Sequence, residues 1–141
     1  MTRMSSTFPA RLSAFGDIKV LLERFCQTAQ LARNDLLRLT LIVEELFTNT
    51  IRHGHRQDCD DPVTIELELV SGRVALAYQD CAPPFDPVAA SLLTEVETIL
   101  EHRPVGGLGI LLALAMSHEA NYSLVDGRNR VELTLARSDD A

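Results

Sequence analysis

Lysine is nearly absent from this chain: Lys19 is the only one, and the remaining basic residues are scattered arginines. With a net charge of −7, that pattern argues against a nucleic-acid surface, because binding phosphates requires clustered cations. Cysteine is scarce and unpaired. Cys26, Cys59 and Cys81 form no CxxC motif and leave one thiol over in any disulfide scheme, which points to free thiols in a reducing, cytoplasmic setting. Long apolar runs are also missing. None approaches the roughly 20 residues of a bilayer-spanning helix, and the stretch after Met1-Thr2-Arg3-Met4-Ser5-Ser6 has no secretory-signal core, so no membrane partner is expected. Internal repeats and low-complexity tracts are lacking too. What remains is an ordinary globular composition, 46% hydrophobic and 23% charged, which suits a single domain over 1–141. A domain of that length buries roughly two-thirds of its unfolded surface.

The organising stretch is Leu41 to His53, an apolar helix pattern interrupted by Glu45, Asn49 and His53. These three stand four residues apart and so line up along one helix face. A polar stripe closely flanked by Val43, Leu46 and Thr50 must face something polar. The pattern predicts a helix starting at the N-cap signal Asn34-Asp35, burying Leu36, Leu39, Val43, Leu46 and Thr50, and ending near Gly54. An amphipathic helix precedes it, from Ser13 to about Ala29, carried by Phe15, Ile18, Leu22 and Phe25.

Around these helices lie strand signals. Ser5 to Pro9 reads as a short edge strand that proline ends. Val63, Ile65, Leu67 and Leu69 alternate with polar residues, Ser71-Gly72 forms a turn, and Val74, Leu76 and Tyr78 resume the alternation, so this is a hairpin that delivers Asp80 to its end. A proline-rich connection follows, with a weak helix pattern from Val88 to about His102, and a connection this long often acts as a lid. After Gly106-Gly107-Leu108-Gly109, residues 110–116 are apolar all round and predict a buried helix. A second hairpin turns at Asp126-Gly127, with Tyr122 and Leu124 before it and Val131, Leu133 and Leu135 after it; 138–141 reads as a disordered tail. The order predicts an α+β fold, a two-layer α/β sandwich with helices on one face of a mixed, largely antiparallel sheet. The other face carries Thr64, Glu66, Glu68, Glu132 and Thr134 and should meet solvent.

The stripe offers specific chemistry. Asn49 presents a neutral hard oxygen of the kind Mg²⁺ takes alongside phosphates and waters. Glu45 is placed to hold a metal-bound water or to accept a proton from an attacking hydroxyl, and His53 either contacts phosphate or caps the helix. Glycines 106, 107 and 109 would let backbone approach phosphates at a helix N-terminus, although neither a P-loop nor full GxGxxG spacing is present. Asp80 is suited to accept a hydrogen bond from the exocyclic amino group of a base. Taken singly, each has a plainer reading as a solvated helix residue, a turn or a cap. A metal site on His53, His55 and Cys59 is a further reading, with no fourth ligand evident.

Taken together, Glu45-x-x-x-Asn49-x-x-x-His53, Asp80-x-Ala82-x-Pro84-Phe85-Asp86-Pro87 and Gly106-Gly107-Leu108-Gly109-Ile110 resemble the three nucleotide-binding boxes of the gyrase, heat-shock chaperone, histidine kinase and mismatch-repair ATPase superfamily. The Pro-Phe-Asp-Pro continuation and small size resemble the bacterial anti-sigma factor serine/threonine kinases in particular. The likeness covers about Phe15 to Arg137. It implies a Bergerat-type ATP-binding fold, ATP and Mg²⁺ as cofactors, Asn49 as the Mg²⁺ ligand and Glu45 as the catalytic base or water-orienting carboxylate. It implies adenine recognition by Asp80, with Ala82 and Phe85 beside it, His53 at the nucleotide, and phosphate contacts from Arg103, Gly106, Gly107, Leu108 and Gly109. The implied partners are an anti-sigma-factor antagonist as the phosphorylated substrate, a sigma factor, and a second copy in a homodimer. Two other outputs fit the same boxes: a non-catalytic ATP-dependent partner-binding module, and a detached histidine-kinase catalytic domain. One position departs from the family: Ala82 stands where a glycine is usual, which puts a methyl group near the base and predicts weaker nucleotide binding.

Overall fold

The computed structural model describes residues 2–86 and 119–138. Among the described residues, five strands form one sheet in the order β1-β2-β3-β5-β4: β1 (Arg3–Pro9), β2 (Pro62–Val70), β3 (Arg73–Asp80), β4 (Glu119–Val125) and β5 (Arg128–Ala136). All four pairings are antiparallel. Both expected hairpins form, and their two-residue turns have the same chemistry. Ser71 and Gly72 have φ of 52° and 77°, and Asp126 and Gly127 have 53° and 78°. Two successive positive φ values match the right-handed twist of the flanking strands, and glycine at the second position adopts that backbone without a steric penalty.

Helices α1 (Phe15–Thr28) and α2 (Arg33–Asn49) lie on one face. Ile18, Leu22 and Phe25 from α1 and Leu39, Ile42, Val43 and Phe47 from α2 pack against Val63, Ile65, Leu67, Leu76, Val131, Leu133 and Leu135. The strand residues come from alternate positions, so each strand commits one face to the core. Each fully buried aliphatic or aromatic side chain contributes about 1.5–3 kcal/mol by leaving water. The opposite face is half-buried to exposed and is laced by side-chain pairs, among them Thr7–Thr64 at 3.0 Å and Arg130–Glu66 at 3.0 Å.

Three local details depart from the sequence reading. Strand β1 begins at Arg3 rather than Ser5, because Met4 joins Phe8 on the inward face despite the polar Ser6 between them. Helix α2 starts at Arg33 with Ala32 at the N-cap, so neither Asn34 nor Asp35 caps it. Asp35 is instead buried in the first turn, where it accepts a hydrogen bond from Arg38 and another from the backbone N–H of Ser138 at 3.0 Å. That bond anchors the first residue of the expected tail. Lastly, α2 does not run regularly to Gly54. After Asn49 it widens into a π turn over Thr50–His55, and Arg56 then reverses the chain at φ 65°. Thr50 Oγ1 lies 3.0 Å from the Leu46 carbonyl and 2.7 Å from Asp80, and such hydroxyl competition loosens a helical ladder.

The helix pattern from Val88, the glycine run, the apolar stretch 110–116 and the tail 139–141 lie outside the described residues. Among the described residues, no helix is long and apolar enough to cross a membrane.

Candidate functional site

At the end of β3 a single carboxylate gathers three donors among the described residues. Asp80 is only 7% exposed. Its Oδ2 accepts from Thr50 Oγ1 at 2.7 Å, and its Oδ1 accepts from Asn129 Nδ2 at 2.9 Å and from the Ala82 N–H at 3.2 Å. Behind Thr50, the Tyr78 hydroxyl stands 2.6 Å from Oγ1, which fits a chain running from Tyr78 through Thr50 to Asp80. Burial above all pushes the Tyr78 phenol well above its ordinary pKa, so it remains a donor. A carboxylate offers about four lone-pair positions, so three donors leave room for one more from outside the protein.

Asn129 is the second hub of this corner. Its Nδ2 reaches the carbonyls of Ala82 at 3.0 Å and Pro83 at 3.2 Å as well as Asp80, so one of its two N–H bonds is shared. Its Oδ1 accepts from the Phe85 N–H at 3.0 Å and from the Tyr122 hydroxyl. One side chain therefore fixes the backbone from Asp80 to Phe85. The Phe85 ring itself is exposed.

The α2 stripe is built differently. Glu45 and Asn49 are half-buried, and His53 is exposed on the π turn. Glu45 Oε1 is buried without a hydrogen-bond partner. Desolvation, then repulsion from Glu44, raises the Glu45 pKa, while His53 and Arg52 act in the opposite direction. A raised carboxylate is a stronger base and so a better proton acceptor near neutral pH. The wide turn after Asn49 breaks the regular four-residue stacking that would have set His53 directly below it.

Ala82 is buried, and its methyl group lies against the π turn: a Cβ placed on Gly54 would stand 2.7 Å from the Ala82 Cβ. The missing side chain at Gly54 makes space for the added one at Ala82. Arg103, Gly106, Gly107, Leu108 and Gly109 lie outside the described residues. Of the expected metal trio His53, His55 and Cys59, the structure groups His55 and Cys59 with Asp61 instead.

Sequence reasoning passed over Thr50, Tyr78 and Asn129. The first two fit the core pattern they were assigned to. Asn129 carried a readable signal: it shares the inward face of β5 with Val131, Leu133 and Leu135, where asparagine is unfavourable without dedicated partners.

The comparisons with known proteins place this geometry in a family. Residues 8–135 match the histidine kinase-like ATPase domain, and the chain belongs to that family. ATP binding is the property such a domain carries, and the fold is the expected α+β sandwich of the Bergerat type. No curated protein matches the chain significantly by sequence. Among solved structures, the chain is similar to the RsbU and RsbW domains of Rv1364c from Mycobacterium tuberculosis, with TM-score 0.68 and 17% identity over 100% of this chain. It spans only 34% of that longer chain. It is also similar to a chain of the SiaB-SiaC complex from Pseudomonas aeruginosa, with TM-score 0.65 and 16% identity, covering 94% of this chain and 88% of that one. The Acinetobacter baumannii histidine kinase AdeS aligns at TM-score 0.50 and 16% identity over 96% of this chain and 68% of its own.

Proposed function

We propose that this domain binds ATP with Mg²⁺ and transfers the γ-phosphoryl group to a serine or threonine hydroxyl of a partner protein, an anti-sigma-factor antagonist, in a circuit that switches partners with a sigma factor. The observation that carries the reading is the Asp80 corner: a buried carboxylate held by Thr50, Asn129 and the Ala82 N–H, with acceptor capacity left for the amino group of adenine. Two similarities support the partner-switching part. One structural neighbour carries an RsbW domain, and another is half of a two-protein complex, SiaB-SiaC. The Pro84-Phe85-Asp86-Pro87 sequence points the same way.

The chain's own residues would divide the work as follows. Asp80, fixed by Asn129, orients the base. Asn49 offers its amide oxygen to Mg²⁺, which when bound neutralises phosphate charge. Glu45 accepts the proton that the attacking hydroxyl loses; its raised pKa and its unpartnered Oε1 suit that task. His53, exposed one turn further on, contacts the nucleotide phosphates, and Arg103 and glycines 106, 107 and 109 complete the phosphate contacts. The free thiols Cys26, Cys59 and Cys81 support a cytoplasmic location.

Incubating the protein with γ-labelled ATP, Mg²⁺ and a purified candidate antagonist tests the reading. The expected result is an acid-stable phosphoprotein whose formation falls by at least about 100-fold in Glu45→Gln, the usual scale of general-base catalysis. An acid-labile product would instead identify histidine transfer and the detached sensor-kinase alternative. Nucleotide binding without transfer to any partner would favour the non-catalytic module. The Ala82 methyl, the one departure from the family's boxes, is accommodated by Gly54.

A further inference from the structure

A second cluster lies outside the nucleotide corner, where the π turn meets the loop into β2. The candidate ligand atoms of His55, Cys59 and Asp61 all lie within 4.8 Å of one another. The His55 side chain is 10% exposed, and its Nε2 is buried with no hydrogen-bond partner. Its Nδ1 stands 3.8 Å from Asp61 Oδ2, beyond hydrogen-bond reach. An imidazole nitrogen buried without a partner carries a desolvation cost that a bound cation would offset.

The backbone around the cluster is already fixed. The Cys59 N–H donates to the Ala10 carbonyl at 2.9 Å, and the Ala10 N–H donates to the Asp61 carbonyl at 3.0 Å. Arg11 Nε reaches Asp60 at 2.7 Å, and the Leu12 N–H reaches Asp58 at 3.0 Å. Four bonds thus hold the loop before any ion arrives, which lowers the ordering cost of binding.

We propose that His55, Cys59 and Asp61 form a binding site for a zinc-class divalent cation, with three protein ligands and a fourth position for water or an external ligand. The donor set selects the metal: imidazole nitrogen, thiolate sulfur and carboxylate oxygen together suit borderline Zn²⁺, whereas Mg²⁺ and Ca²⁺ take oxygen alone. Tetrahedral geometry needs ligand separations of roughly 3.3–3.8 Å, given Zn–N and Zn–S bond lengths. The His55–Asp61 separation of 3.8 Å is already near that range, and the Asp61 side chain, 57% exposed, has room to rotate toward the other two ligand atoms. Cys26 cannot substitute as the sulfur ligand, being buried in the core with its thiol pushed up to about 11, chiefly by desolvation. Occupancy would tie the end of the α2 π turn to the loop bonded to β1, and the site shares no residue with the proposed nucleotide machinery.

Cobalt absorption on the full chain, stripped with chelator and titrated with Co²⁺ alone, reads the site directly. One equivalent should produce thiolate-to-cobalt charge-transfer absorption that Zn²⁺ bleaches, that Cys59→Ser abolishes, and that Cys81→Ser leaves intact. Asp61→Asn, at an exposed side chain that threatens no fold, should weaken Co²⁺ binding by more than about tenfold, since even outer partners of a metal ligand are worth 10–100-fold. His55→Ala should weaken it at least as much. A folded wild-type protein giving no charge-transfer absorption, or absorption that survives Cys59→Ser, would overturn the proposal.

Discussion

The Asp80 corner and the α2 stripe differ in how far the protein has satisfied its own polar groups. Asp80 holds three internal hydrogen bonds and Asn129 ties down the loop beyond it. Glu45 Oε1, by contrast, is buried and unpartnered, and its carboxyl is pushed toward the neutral form. One region is held by its own hydrogen bonds, as the proposed recognition of a base requires. The other stores an unmet demand that a substrate proton or an ordered water would satisfy. Under the proposed function, recognition falls to the first region and chemistry to the second, with Thr50, five residues after Glu45 on the same helical segment, bonded to the Asp80 side.

Breaking the satisfied region should have the largest effect on stability. Asp80→Ala strands the buried Ala82 N–H, at about 1–3 kcal/mol, and removes a charge-assisted acceptor from Thr50 and from Asn129, whose amide keeps the Ala82 and Pro83 carbonyls. Denaturant unfolding should therefore show a loss of about 3 kcal/mol, with nucleotide binding lost as well. Next comes the packing between Gly54 and Ala82. Gly54→Ala would place two methyl carbons 2.7 Å apart and should cost about 1–3 kcal/mol. Ala82→Gly in the same chain should restore most of that loss, a coupling measurable by a double-mutant cycle.

The unsatisfied region should respond with the opposite sign. The folded-state pKa of Glu45 lies above its unfolded value, so the folded state holds the proton more tightly. The associated stability is present at acid pH and is lost as pH rises from the ordinary glutamate range through the raised folded pKa. Glu45→Gln removes that loss. Its Tm should exceed that of the wild type at neutral pH, with the gap closing as pH falls into the glutamate range, even as phosphoryl transfer disappears. The smallest effect is expected on the solvated face. Arg130 pairs with Glu66 at 3.0 Å and with Glu132 at 3.4 Å, yet Arg130→Ala should cost no more than about 1 kcal/mol and should leave nucleotide binding unchanged.

Much of this was readable in the sequence where local rules act alone. Alternation in Val63 to Leu69 and Val131 to Leu135 fixed which strand faces meet the core, and Ser71-Gly72 and Asp126-Gly127 fixed both turns. The four-residue spacing of Glu45 and Asn49 placed them on a helix. What escaped depends on contacts distant in sequence. Asp35 has the residue type of an N-cap, but its partner Ser138 lies about a hundred positions away, and that tertiary bond outweighed the local preference. At the start of the π turn Thr50 meets Tyr78 and Asp80 across the core, a contact that no window around Thr50 reveals. Asn129 joins loop residues 44 to 49 positions earlier. The expected phosphate contacts Arg103 to Gly109 lie outside the described residues.

The most direct test of the account is a calorimetric titration of the full chain with ATP in the presence of Mg²⁺, repeated on Asp80→Asn, which keeps the size of the side chain while removing its charge and one acceptor. The wild type should bind ATP saturably, with binding weakened by at least about tenfold in the folded variant, the scale of a lost hydrogen bond to a charged group. A folded wild type that binds no adenine nucleotide, or an Asp80→Asn variant that binds ATP as tightly as the wild type, would contradict it.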